Sequence, residues 1–240
     1  LVFIGSILGK MSSDVISLGL PTCFIVLYLG ILVGIAEGLN RWLQVNPEWT
    51  RKIVHIGSGN VVLLAWWFSL PTWMGIVAAI IAAIVTLCSY YFPILPGVNS
   101  VGRKSFGTFF YAVSLGVLFA CFWRIHQPQY VVIGMSIMAW GDGLAAIVGQ
   151  KWGKHQYRVW GVTKSWEGSL TMAIVSYSAV FFVLLAIVGN IWQIYAIALV
   201  VAVVATFLEA FSKLGIDNLT VPLASAALAF YCVRLLGIGF

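Results

Sequence analysis

Charge is scarce in this sequence. Seven acids and thirteen bases are spread over 240 residues, and none falls between His55 and Arg103. That excludes an ordinary soluble domain, in which about a quarter of residues are charged. Cysteine is equally sparse. Cys23, Cys88, Cys121 and Cys232 all lie in apolar runs with no CxxC or metal-ligand spacing, so they are expected to be small buried hydrophobes. There is no internal repeat, no low-complexity tract and no GxxxxGK[ST] phosphate loop.

What remains is hydrocarbon. Apolar residues make up 62% of the chain and the mean hydropathy is +1.03. A membrane span needs about 20 predominantly apolar residues. On that rule eight spans are expected, at 17–39, 53–70, 73–92, 106–123, 129–149, 168–188, 191–211 and 219–236. The expected fold class is an all-α, polytopic transmembrane helix bundle of about 7–8 spans, with no room for a separate soluble domain. Residues 1–16 are set apart from it. LVFIGSILG is too short to span and is followed by Lys10, as in the remnant of a longer leader or sequence upstream of a start at Met11. Residues 17–240 then form a single transmembrane domain.

Ten of the thirteen bases fall in the loops after spans 1, 3, 5 and 7; the other three are Lys10, Arg124 and Arg234. The positive-inside rule places the basic loops in the cytoplasm and both termini outside. Insertion alone therefore accounts for the net charge of +6, and no nucleic-acid partner is called for.

With so few charges, each can be weighed singly. Asp142 lies between two glycines in MAWGDGLAAIVGQKWGK, near the end of an apolar run. A carboxylate there is costly unless paired, so it marks either a structural ion pair or a functional site. As a hard oxygen ligand it suits magnesium carrying phosphates. RKIVHIGSG opens span 2, and its spacings put Arg51, Lys52 and His55 on one helical face. The trio either anchors the span by charge or grips phosphate. GRKSFGT, with Arg103 and Lys104 between glycines, is either a phosphate-binding turn or simply a connection. Lys151, Lys154, Arg158 and Lys164 make the loop after span 5 basic. In KSWEGS, Lys164 can reach a phosphate, while Ser165 and Glu167 fit the cap and first turn of a helix.

EAFSKLGIDNLTVPL joins spans 7 and 8. There Glu209 either pairs with Lys213 four residues on or joins Asp217 at a metal site, and Asp217 or Asn218 is a natural cap. Glu37 and Arg41 read as a structural pair. Collectively, Asp142, Glu167, Glu209 and Asp217 map to the same membrane face as most of the bases. Carboxylates and cations together at one face of an apolar bundle describe a polyphosphate–metal site beside lipid.

RKIVHIGSG, MAWGDGLAAIVGQKWGK, KSWEGS and EAFSKLGIDNLTVPLASA, in this order over residues 51–228, resemble the polytopic CTP-dependent polyprenol kinases, a family that includes phytol kinase, dolichol kinase and yeast-type diacylglycerol kinase. The E…DNLTVPL block is most similar to the phytol kinase branch. The resemblance implies γ-phosphoryl transfer from CTP, with Mg2+, to an isoprenoid alcohol such as phytol that enters from the bilayer, and a product that feeds tocopherol synthesis. It implies a bacterial membrane, such as a cyanobacterial thylakoid or plasma membrane, or a plastid membrane. Asp142 and Asp217 would hold the metal or orient the alcohol, with Glu209 beside them. Arg51, Lys52, His55, Lys151, Lys154, Lys164, Glu167 and Asn218 would serve the nucleotide. Two other readings compete: a CDP-diacylglycerol synthase-like cytidylyltransferase, which lacks here its longer Asp-rich signature, and a secondary transporter, whose ionisable residues belong near the midplane of repeated, broken helices.

Overall fold

The computed structural model describes residues 2–42, 47–91 and 106–239. The bundle is built from α1 (Val2–Trp42), α2 (Pro47–Gly59), α3 (Val61–Trp67), α4 (Thr72–Tyr91), α5 (Gly107–Leu118), α6 (Pro128–Ser136), α7 (Gly143–Trp152), α8 (Trp166–Val188), α9 (Trp192–Ala210) and α10 (Asp217–Leu235). A π turn, Phe119–Trp123, extends α5, and a second, Ile137–Asp142, joins α6 to α7 without a break. Among the described residues, six segments are long and apolar enough to cross a membrane: Leu18–Trp42, Thr72–Ser89, Pro128–Trp152, Trp166–Val188, Trp192–Ala210 and Asp217–Leu235.

The other two expected spans are also helical but shorter. Gly107–Trp123 is an apolar helix of intermediate length. The second span is broken at Asn60, whose N–H turns back onto Gly57 O at 3.1 Å. Glycines at 57 and 59 precede the break, and each meets a neighbouring side chain where a Cβ would otherwise stand.

The segment Pro128–Trp152 is the centre of the bundle. Seventy-two per cent of its apolar window is buried, against 6% for Leu18–Trp42 at the periphery. Small residues let its neighbours close in. A Cβ on Gly134 would lie 2.5 Å from Pro222 O of α10, one on Gly141 2.7 Å from Met172 Sδ of α8, and one on Gly143 2.4 Å from Ile56 of α2. On the other side of the α2 contact, a Cβ on Gly59 would lie 2.2 Å from that of Ala139. Backbones approach this closely in membranes because dispersion contacts and lipid release, rather than water exclusion, drive the helices together. The cysteines differ from expectation: Cys23, Cys88 and Cys121 are exposed on the outside of the bundle and Cys232 is half-buried. An apolar side chain loses nothing by facing lipid.

The loop after the central span is not irregular. It forms a β-hairpin, β1 (Gln156–Val159) against β2 (Val162–Ser165), antiparallel, with Gln156 opposite Ser165 and Val159 opposite Val162. Trp160 (φ 47°) and Gly161 (φ 80°) make its two-residue turn. Positive φ at both central positions matches the twist of the strands they join.

Candidate active site

Asp142 ends the π turn of the central span, and that turn sets where it points. Lys52 Nζ of α2 donates to Asp142 Oδ2 at 2.5 Å, and His55 Nε2, one turn along α2, lies 3.6 Å from the same oxygen. Both partners of the ion pair are largely withdrawn from the surface, with side chains 10% and 13% exposed. His55 is fixed further by Met138 O, 3.2 Å from Nε2, and by the Tyr111 ring of α5, centroid to centroid 4.9 Å. A carbonyl only accepts, so Nε2 carries the proton in that contact. Arg51 stands within electrostatic reach of His55. Lys52 and His55, two of the three residues placed on one face by their spacing, are therefore turned onto Asp142.

A second ion pair lies beside the first. Lys164, in β2, donates both to the carboxylate and to the main-chain carbonyl of Glu209 near the end of α9. The sequence offered Lys213 as the partner of Glu209. The structure instead buries Glu209 and pairs it across 45 residues, leaving Lys213 exposed. Asp217 opens α10. It accepts from Asn218 N at 3.1 Å and from the Ser212 hydroxyl, while Asn218 Nδ2 donates to Gly215 O at 3.3 Å, so Asn218 serves the turn. Asp142, Glu209 and Asp217 lie close enough for their charges to act on one another, and Lys164 acts on all three.

A pocket of about 340 Å³ opens beside these groups. One wall is a stripe of the central span. Ala146, Gly149 and Gly153 stand four, seven and eleven residues beyond Asp142, a helical repeat that keeps all four on one face. Lys164 and Glu209, and Gln156 and Thr163 of the hairpin, also line the pocket. Ser165 caps α8 by accepting from Gly168 N at 3.1 Å, and lies so close that a Cβ on Gly149 would meet its Oγ at 2.9 Å.

Three of the expected site residues lie elsewhere. Glu167 accepts from the His155 ring at 2.7 Å and from the His155 N–H, binding the base of the hairpin to α8. Lys151 is exposed over the rings of Trp152 and Trp49, its Nζ 4.7 and 5.9 Å from their centroids, and Lys154 is exposed at the turn into the hairpin. Arg103 and Lys104 lie outside the described residues. Conversely, the sequence reading missed the pocket walls, above all Gln150, Gln156 and Thr163. The available signals were the helical stripe after Asp142 and the Trp-Gly turn between β-branched residues.

Among the described residues, no group of three or more His, Cys, Asp or Glu side chains is placed to hold a metal ion by itself. Magnesium, however, is usually held by one or two carboxylates and completed by water and substrate phosphates. Hard oxygens on Asp142 and Asp217, within reach of each other's charge, fit that kind of site.

The chain is 52% identical over 204 residues to the phytol kinase of Synechocystis, spanning 85% of this chain and 87% of that one. The chain belongs to the phytol kinase family. The likeness extends to the chloroplastic phytol kinase 1 of Arabidopsis thaliana, 30% identical over 81% of this chain and 69% of that one. It extends also to the probable chloroplastic phytol kinase 1 of Oryza sativa, 30% identical over 83% and 69%. No family model and no solved structure matches the chain. As a phytol kinase family member it is a lipid kinase.

Proposed function

We propose that this protein phosphorylates phytol, or a closely related isoprenoid alcohol, with CTP as donor and Mg2+ as cofactor, at the cytoplasmic face of its membrane. One observation carries the proposal. Lys52, Asp142, Lys164, Glu209 and Asp217 come from widely separated parts of the chain and converge beside a single pocket at one end of an apolar bundle. Phosphoryl transfer passes through a loose transition state, so its catalysis is mainly positioning and charge neutralisation. Lys52 and Lys164 supply fixed positive charge for the phosphates. Asp142 and Asp217 would hold magnesium, which would supply positive charge to offset that of the phosphates. His55, clamped by Met138 and Tyr111, keeps Asp142 oriented. The alcohol arrives from the hydrocarbon with its hydroxyl at the interface, so neither substrate has to leave its own phase. Cyanobacterial and chloroplastic relatives favour a photosynthetic membrane.

The test uses purified protein in detergent with phytol, magnesium and γ-labelled CTP, beside Asp142→Asn. Labelled phytyl phosphate is expected from the native chain, with at least a hundredfold less from the variant, on the order of losing a transition-state electrostatic contact. Label released only as pyrophosphate would replace the proposal with cytidylyl transfer.

A further inference from the structure

The pocket has two chemically different ends. Its inner end carries Lys164 and Glu209 and abuts Asp142, which stands one turn before Ala146. Its outer end is lined by neutral hydrogen-bonding side chains: Gln150 at the end of the central span, and Gln156 and Thr163 on the hairpin. Gln150 lies eight residues beyond Asp142, about 12 Å of helix rise. The small side of the stripe, Ala146, Gly149 and Gly153, clears the path between them. Lys151, the residue after Gln150, is turned onto Trp49 and Trp152 and does not line the pocket. Among the described residues, no hydrogen bond occupies the carboxamide of Gln150 or of Gln156.

We propose that Gln150 and Gln156 hold the nucleobase of the phosphoryl donor, an inference that rests on the kinase reading above. The reacting phosphate has to lie at the inner end, where the cations are and where the lipid hydroxyl arrives. The rest of the nucleotide then runs outward along the glycine stripe, and its base comes to rest between the two amides. A carboxamide presents an acceptor beside a donor, and a base edge with an amino group next to a ring nitrogen, as in cytosine, takes both in parallel. The hairpin holds Gln156 there: Glu167 fixes its base, and Tyr157 Oη lies 2.6 Å from Ser169 Oγ of α8.

The measurement is equilibrium binding of CDP and of tripolyphosphate to the full chain in detergent with magnesium. It compares the native protein, Gln150→Ala, Gln156→Ala and Lys164→Ala. Each glutamine variant is expected to weaken CDP about tenfold, the order of one or two lost hydrogen bonds to the base, and to leave tripolyphosphate unchanged. Lys164→Ala is expected to weaken both. Equal losses of CDP and tripolyphosphate in the glutamine variants would overturn the assignment and leave the kinase reading standing. A native protein that binds neither ligand would overturn both.

Discussion

Asp142 and Lys52 each make sense only in the presence of the other. Removing the lysine leaves a buried, uncompensated carboxylate, which costs about 3–5 kcal/mol, whereas exchanging both for apolar residues of similar volume is close to neutral. Lys52→Met is therefore expected to lower the melting temperature in detergent, and Lys52→Met/Asp142→Leu to recover most of the loss while staying inactive. A single variant that melts like the native protein would contradict the pair. At this scale much was legible. A carboxylate in an apolar run has no bland reading that leaves it unpaired, and the spacing of Lys52 and His55 fixed a common face. Which acid meets which base was not legible. Glu209 chooses Lys164 over Lys213 because distant parts of the chain come together, and Glu167 chooses His155 because the hairpin between them folds its base back onto α8. Gln150 and Gln156 were silent for another reason: a neutral polar residue at the edge of a polar stretch departs from no expectation.

Among the elements, the positions of the spans followed from hydropathy, since a segment of the right length and polarity has little alternative in a bilayer. Their interruptions did not. The break at Asn60 and the π turn at Ile137–Asp142 depend on contacts with neighbours, Tyr28 and Trp140 bonding to the Asn60 side chain among them. The hairpin had a local signal in Val-Trp-Gly-Val, overshadowed by the basic residues around it. Packing of the central span yields a contrast between two glycine substitutions. Gly134→Ala would put a methyl group 2.5 Å from a backbone oxygen of α10, which cannot swing aside, so a loss of about 1–3 kcal/mol is expected. Gly30→Ala in α1 meets nothing within 4 Å and is expected to be neutral or to gain up to about 1 kcal/mol of helix propensity. Thermal unfolding of the two variants side by side checks this, and equal effects would mean that the central span is not packed as described.

For the whole molecule, the distribution of Lys and Arg predicts which side of the membrane carries the site. Arg158 on the hairpin and Arg124, after the fourth span, are both exposed and lie on opposite faces by that reading. In a background with the four native cysteines replaced by alanine, a membrane-impermeant maleimide is expected to label Arg124→Cys in intact cells. Arg158→Cys should label only after permeabilisation. The reverse pattern would put the pocket outside the cell and remove any access to cytoplasmic nucleotide.

The ion pair between Lys52 and Asp142 also has a consequence in time. The two residues are 90 positions apart in the chain. At a synthesis rate of roughly 5–20 residues per second, Lys52 emerges some 5–18 s before its partner exists. During that wait α2 has no central helix to pack against, and its lysine is held at the headgroup level by its long, flexible stem. Glu209 and Asp217 come later still. A ribosome stalled between residues 52 and 142 therefore leaves a nascent chain that already carries the lysine and still lacks the carboxylate that pairs with it.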